Sequence, residues 1–550
     1  MFIKKSFILI TFLLFSYFSF AKEQEVEIKP LDLKMEVRLI QVQAFVYDDK
    51  GDFVSGLSRD DFELYEDGIK QTIKYVDEIH AKKEIEYNDV VSYSMTNDSI
   101  TANLNSVVLI FDGCNSSHIS LGKIKQAAKD FIVNNAGGRN YFALFGINVS
   151  GVFFLQEGFT NSADKLIKAI DNMNVGVGGV EPMSMRIRLL DSIVESVQRC
   201  VAIETLFQRQ LCAEEVVKMA FNQAKNFSKE EQSRALRTVD SLINIFHFLR
   251  HAPGNKTVVF FSDGFDPSGS IYLTYLHEIV EQWKASYNIT INVDQILHEV
   301  RQLSFKDMSN TSWIQQLINK ANEAKIKFYW LNPQNPDELM GADSGIKPVV
   351  ATSRIATFAM EHLISVSEDT GGFSIKTAAH LKSFFDKLAS NLQNYYIINY
   401  EPARGLFDGK LHQIKIDIKK PGYKIQSRKA FLDYTLNDQI SIMIAAALDF
   451  SEIYQQIPIY KEYSYLLDEK NKINVLSVIS IPFDSLTVQY EGDKVKDQVH
   501  FAYLVKNTND EIILKEHKVL NIDMNKDKYV NLSTDKSYFQ NIYSFNLEPG

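Results

Sequence analysis

Hydrophobic positions along the chain follow two different periods. From Lys34 to Asp48, Ile40, Val42, Ala44 and Val46 alternate with other residues, the two-residue period of a half-buried strand. The polar stretch Asp48-Asp49-Lys50-Gly51 reads as a turn. Phe62-Glu63-Leu64-Tyr65 and Gln71-Thr72-Ile73-Lys74-Tyr75-Val76 are β-prone runs joined through Glu66-Asp67-Gly68. Asp-Gly between two such runs predicts a hairpin, so residues 34–78 are expected to be β-rich. Residues 79–104 are polar and read as a linker.

At Val107 the pattern changes. Val107-Val108-Leu109-Ile110-Phe111 is apolar without interruption, as suits a strand covered on both faces in a parallel sheet. A helical pattern over 119–134 follows, then strands at Tyr141–Ile147 and Val152–Leu155. Thr257-Val258-Val259-Phe260-Phe261 and Ile326–Leu331 are two further strands, each preceded by a helical segment. Before the first of these, Ser228-x-x-Glu231 reads as a capping box, and Leu236, Val239, Leu242, Ile243, Phe246 and Leu249 make one apolar face. His251-Ala252-Pro253-Gly254 ends that helix. Strands alternating with helices predict a doubly wound, Rossmann-like α/β sheet over 104–376.

After helix Leu381–Leu392 the period returns to two, in Tyr395–Tyr400 and in Ile414, Ile416 and Ile418. The segment 390–435 is therefore β-rich, and it is expected to pair with 34–78 in one sandwich, with the α/β domain as a long excursion. The tyrosine-rich strand should then lie beside a strand from 35–76. Residues 436–550 read as a further β-sandwich preceded by a helical piece near 440–456, and Leu547-Glu548-Pro549-Gly550 looks like the turn before another strand.

Composition narrows the class. The 550 residues exceed one core, and 45% hydrophobic with 23% charged is the make-up of a folded protein. A formal net charge of −10 argues against nucleic acid as the partner. Lys4 and Lys5, an apolar run from Phe7, and Ser19-Phe20-Ala21 have the anatomy of a secretory signal peptide over 1–21. An uncleaved anchor is the alternative. Later segments are too short or too polar to span a bilayer, so the mature chain is expected to lack a transmembrane segment and to be periplasmic or secreted. Of three cysteines, Cys200 and Cys212 are the pair closest in sequence. On one continuous helix they would be about 18 Å apart, so a disulfide requires a turn between them.

Ligands of open α/β sheets sit beyond the carboxyl ends of the strands. Asp112 follows the first buried strand and Asp263 follows a later one, with hydroxyls beside both. Asp112-Gly113-Cys114-Asn115-Ser116 resembles the Asp-x-Ser-x-Ser metal-ion-dependent adhesion motif of von Willebrand factor type A (VWA) domains, and Ser262-Asp263-Gly264 resembles that fold's second metal loop. Further stretches resemble the VWA-related proteins described from acidobacteria: Val46-Tyr47-Asp48, Val54-Ser55-Gly56-Leu57, Asp61 through Gly68, Pro253-Gly254-Asn255-Lys256, Thr370-Gly371-Gly372 and Tyr395–Tyr400. The resemblance covers about 35–435 and implies a VWA-like sheet with flanking all-β domains. It also implies a Mg2+ or Mn2+ site built from Asp112, Asn115, Ser116 and Asp263, and adhesion to protein partners. The site is degenerate, because Cys114 stands for the first serine and Ile187, four residues before Asp191-Ser192-Ile193, stands for the family's threonine.

Other groups read more plainly. Asp48, Asp49 and Asp52 form an acidic turn, and His118 belongs to a surface loop. His247 and His251 share a helix face, but Phe248 stands where a zinc protease needs its glutamate. With no Gly-x-Ser-x-Gly, Walker or dinucleotide fingerprint in the sequence, the expectation is a binding protein and not an enzyme. A metal-free structural scaffold is the alternative, and a metal-dependent hydrolase a remote one.

Overall fold

The computed structural model describes most of residues 39–80, 104–174, 199–333, 362–449 and 458–547, which make a mixed α/β protein with several sheets. The leader at 1–21, Ile187 and Glu548-Pro549-Gly550 lie outside the described residues. The chain opens with β1 (Ile40–Tyr47), β2 (Phe62–Glu66) and β3 (Ile69–Ile79). It continues through β4 (Asn105–Asp112), α1 (His118–Asn135), β5 (Asn140–Asn148), β6 (Gly151–Phe154), α2 (Ala163–Asp171) and α3 (Leu206–Leu249). Next come β7 (Asn255–Phe261), α4 (Ile271–Tyr287), α5 (Asp294–Glu323), β8 (Ile326–Leu331), β9 (Ser374–Ile375) and α6 (Leu381–Gln393). Strands β10 (Tyr395–Glu401), β11 (Leu411–Ile418), β12 (Lys424–Ser427) and β13 (Ala430–Leu432) follow, then α7 (Leu436–Asp449).

Five strands form a parallel array, with β6 antiparallel at one edge, in the order β6-β5-β4-β7-β8-β9. The uninterrupted apolar run of β4 is explained by what covers it. Val108 and Ile110 point into one cluster with Val239, Leu242 and Phe246 of α3 and Leu317 of α5. Val107, Leu109 and Phe111 point into the opposite cluster, with Ile124 and Phe131 of α1 and Leu388 of α6. From β4 the chain moves to β5 on one side, and from β7 to β8 on the other. The order therefore reverses between β4 and β7.

The capping box expected at Ser228 is not a helix start. Helix α3 runs unbroken for 44 residues, with Ser228 and Glu231 buried inside it. Residues 206–227 contain neither Gly nor Pro, and Ala213, Val217, Ala220, Ala224 and Phe227 extend the buried stripe upstream. The disulfide joins Cys200 to Cys212 with a Cα separation of 5.6 Å, and non-helical residues 203–205 provide the turn it requires.

Two motif glycines are set by close backbone approach. A β-carbon on Gly254 (φ +71°) would lie 2.2 Å from Leu104 O, and one on Gly372 would lie 1.8 Å from Phe328 O. Backbone cannot yield as a flexible side chain does. Gly372→Ala is expected to lower stability by about 3 kcal/mol or more, and an unchanged urea midpoint would contradict this.

The β segments on either side of the α/β part share one antiparallel sheet, in the order β12-β1-β10-β3-β2-β11-β13. Strand β10 lies between β1 and β3, with Ile40 opposite Tyr400 and Val42 opposite Ile398. Only Arg428 and Lys429 separate the two edge strands β12 and β13, so the sheet is rolled until its edges approach. A single curled sheet around Leu64, Tyr396 and Ile416 replaces the two stacked sheets of a sandwich. Asp67 (φ +49°) and Gly68 (φ +79°) form the two-residue turn of the β2–β3 hairpin.

Polar contacts join the rolled sheet to the α/β layer. Asn255 Nδ2 donates to Tyr395 OH at 3.0 Å, and Lys327 Nζ donates to Gln43 Oε1 at 2.8 Å.

The last part contains two three-stranded sheets. One is ordered β14 (Tyr460–Leu467), β15 (Ile473–Pro482), β19 (Tyr538–Leu547), and the other β16 (Gln489–Glu491), β17 (Lys494–Lys506), β18 (Ile512–Asn525). Ile481, Phe501, Tyr503 and Tyr543 pack between them. No described helix is long and apolar enough to cross a membrane.

Candidate functional site

The crevice where strand order reverses gathers all four residues singled out from the sequence. Asp112 ends β4, Asn115 and Ser116 follow in the loop to α1, and Asp263 lies two residues past β7. All four are buried, at no more than 2% exposure. Asp112 Oδ1 accepts from the amides of Cys114 (2.9 Å) and Asn115 (3.1 Å). Its Oδ2 accepts from Asn115 Nδ2 (2.9 Å) and Ser262 Oγ (2.7 Å). Burial pushes the Asp112 carboxyl above its ordinary range, against the pull of these four donors.

Asp263 works on the other loop. Its Oδ2 accepts from Ser117 N at 2.9 Å and Ser120 Oγ at 3.0 Å, at the start of α1, where negative charge suits the helix dipole. Ser117 caps the same helix by accepting from Ser120 N. Ser116 Oγ accepts from the Asp263 amide at 3.2 Å, which ties the two loops together.

Thr238 is a member that sequence reasoning missed. It projects from the middle of α3, and its Oγ1 accepts from Asn115 Nδ2 at 2.9 Å. A threonine in a long amphipathic helix carries no local mark of such a role, and the two residues are 123 positions apart. Asn115 Oδ1 is a buried acceptor without a hydrogen-bond partner among the described residues. The Cys114 thiol is buried, and burial, with the Asp112 charge second, pushes its pKa up to about 12. It stays protonated and is a poor ligand for a hard cation.

The acidic turn at Asp48 and the histidine at the end of α3 sit apart from this cluster. Asp48 Oδ1 accepts from the amides of Lys50 and Asp52, both at 2.9 Å, as turn aspartates do. His247 is exposed in the last turn of α3, and Phe248 belongs to an aromatic cluster with Phe145 and Phe154. His118 is exposed at the first position of α1.

No family model and no curated protein matches the chain. Among solved structures it is similar to proximal thread matrix protein 1 from the mussel byssus, in one crystal form, at 9% sequence identity and a TM-score of 0.20. The match covers 52% of this chain and spans about half, 48%, of the mussel chain.

Proposed function

We propose that the chain is an exported protein-binding module of the VWA-related kind, presenting the loops at the carboxyl ends of β4 and β7 to a protein partner in the envelope or outside the cell. The observation that carries this reading is the locking of those loops across the switch point, through Ser262–Asp112, Ser116–Asp263 and Asp263–Ser120. A surface fixed before contact loses little conformational freedom on binding. Beside it His118 and Ile119 face solvent, Ile119 at 64% exposure. The Cys200–Cys212 disulfide supports an oxidising compartment.

The residues do not fit Mg2+ or Mn2+ as they stand. Such ions ask for about six oxygen ligands, whereas both oxygens of Asp112 already serve two donors each and Cys114 offers a neutral thiol. Asn115 Oδ1 is an acceptor without a hydrogen bond among the described residues, too little for such a ligand set. We therefore read the rim as metal-independent. A thiol held near 12 is no nucleophile, which leaves Cys114 a packing and not a reactive role. The same closed network favours the scaffold alternative, which differs in having no partner at this face.

Affinity capture from envelope extracts separates the two. The binding reading expects saturable capture of a partner that falls about tenfold or more in Ile119→Lys, with no change in thermal midpoint. Equal capture by both proteins would point to the scaffold.

A further inference from the structure

At one end of the rolled sheet four carboxylates meet one imidazole and one guanidinium. The β2–β3 turn brings Glu66 and Asp67, the segment after β10 brings Arg404 and Asp408, β11 brings His412, and Asp433 follows β13. His412 is 5% exposed. Its Nδ1 lies 2.7 Å from Asp67 Oδ2 and 3.5 Å from Glu66 Oε1, and its Nε2 lies 3.1 Å from both oxygens of Asp408. Glu66, 3% exposed, accepts from Tyr400 OH at 2.8 Å and from Arg404 Nε at 2.5 Å. Arg404 Nη1 also donates to Asp433 Oδ2 at 2.6 Å.

Charge and geometry lead the same way. Four carboxylates face Arg404 and, even with His412 protonated, two negative charges remain uncompensated among these six side chains. Leaving such charge in a largely buried cluster is costly, and a divalent cation that displaces one imidazole proton halves it. One ligand atom each from Glu66, Asp67 and His412 lie within 4.8 Å of one another. Asp408 holds the far nitrogen of the ring, the carboxylate–histidine arrangement that orients metal-bound imidazoles, and thereby aims Nδ1 at the other two carboxylates. The Asp67 side chain is 47% exposed, so the cluster opens to solvent on that side.

We propose that Glu66, Asp67 and His412 form a transition-metal site, with Zn2+ the best-matched ion. One imidazole nitrogen and two carboxylate oxygens suit Zn2+ and leave a fourth position to water, whereas Mg2+ favours an all-oxygen set. On binding, the Nδ1 proton leaves to solvent while Asp408 keeps its hydrogen bond to Nε2. Arg404 stays on Glu66 and shares that carboxylate with the ion.

The test is calorimetric titration of the full chain, stripped with EDTA and dialysed, with zinc chloride. The site predicts one Zn2+ that is lost in His412→Gln and weakened at least tenfold in Asp67→Asn. In Asp408→Asn, which touches only the orienting partner, affinity should fall about 10–100-fold. Asp67 is half-exposed, so its variant decides the matter even if the His412 variant misfolds, with far-UV dichroism as the folding control. The proposal is overturned if the wild-type chain binds no Zn2+, or if affinity is unchanged in both Asp67→Asn and Asp408→Asn.

Discussion

Replacing Lys327 by Met is expected to stabilise the protein, and by an amount that shrinks as pH rises. Lys327 is buried on β8, with its ammonium 5.0 Å from the centre of the Phe45 ring and bonded to Gln43, and Arg428 nearby adds repulsion. Burial, with Arg428 second, lowers its pKa to about 7. The unfolded chain holds this proton up to about pH 10.4, so between the two values it binds more protons than the folded one. Stability must therefore rise with pH across that window, by up to about 1.4 kcal/mol per unit from this group. Below pH 7 the full penalty is present. Lys327→Met removes it but leaves Gln43 Oε1 without its donor, a cost of about 1–2 kcal/mol. The variant should be about 2 kcal/mol more stable near pH 7.5 and lose that advantage by pH 10. Urea unfolding at four pH values between 7 and 10 checks this. Parallel stability curves for the two proteins would refute the buried-lysine account.

Asp112→Ala is expected to have the largest destabilising effect at the rim. It removes one acceptor that serves four donors, all buried in one place. Each buried donor left without a partner costs about 1–3 kcal/mol, tempered by relaxation of the Ser262 hydroxyl, so a total of about 3–5 kcal/mol is expected. If Asp112 acted chiefly as a metal ligand, the loss would appear in Mg2+ and vanish in EDTA, where the wild type would already lack the ion. On the present account the loss is the same in both buffers. Unfolding free energies of wild type and variant, measured with and without EDTA, separate the cases.

Much of the secondary structure was legible because its signals are local. The apolar run of β4, the Asp67-Gly68 turn, and the runs that became β7, β8 and β10 each declare themselves within a few residues. Asp112 and Asp263 could be placed on one rim because they end or closely follow strands, whereas Asn115 and Ser116 were picked out by the resemblance of their loop to a metal-site motif. What the sequence hid is long-range. Ser228 and Glu231 have the spacing of a helix start, yet sit inside one 44-residue helix, because the apolar stripe continues through Val217 and Ala224. Thr238 meets Asn115 only once α3 is laid against the sheet. His412 and Asp67 are 345 positions apart, and only the rolling of the β sheet brings them within hydrogen-bonding distance. The same rolling turned an expected sandwich into one curled sheet.

The proposed function has a rim held together by its own hydrogen bonds that would meet a protein partner without metal. Its most direct test is partner capture from envelope extracts by the wild-type chain in EDTA and in millimolar Mg2+, side by side. The same partner at the same apparent affinity is expected in both. Capture that disappears in EDTA and returns with Mg2+ would contradict it and restore the metal-gated reading.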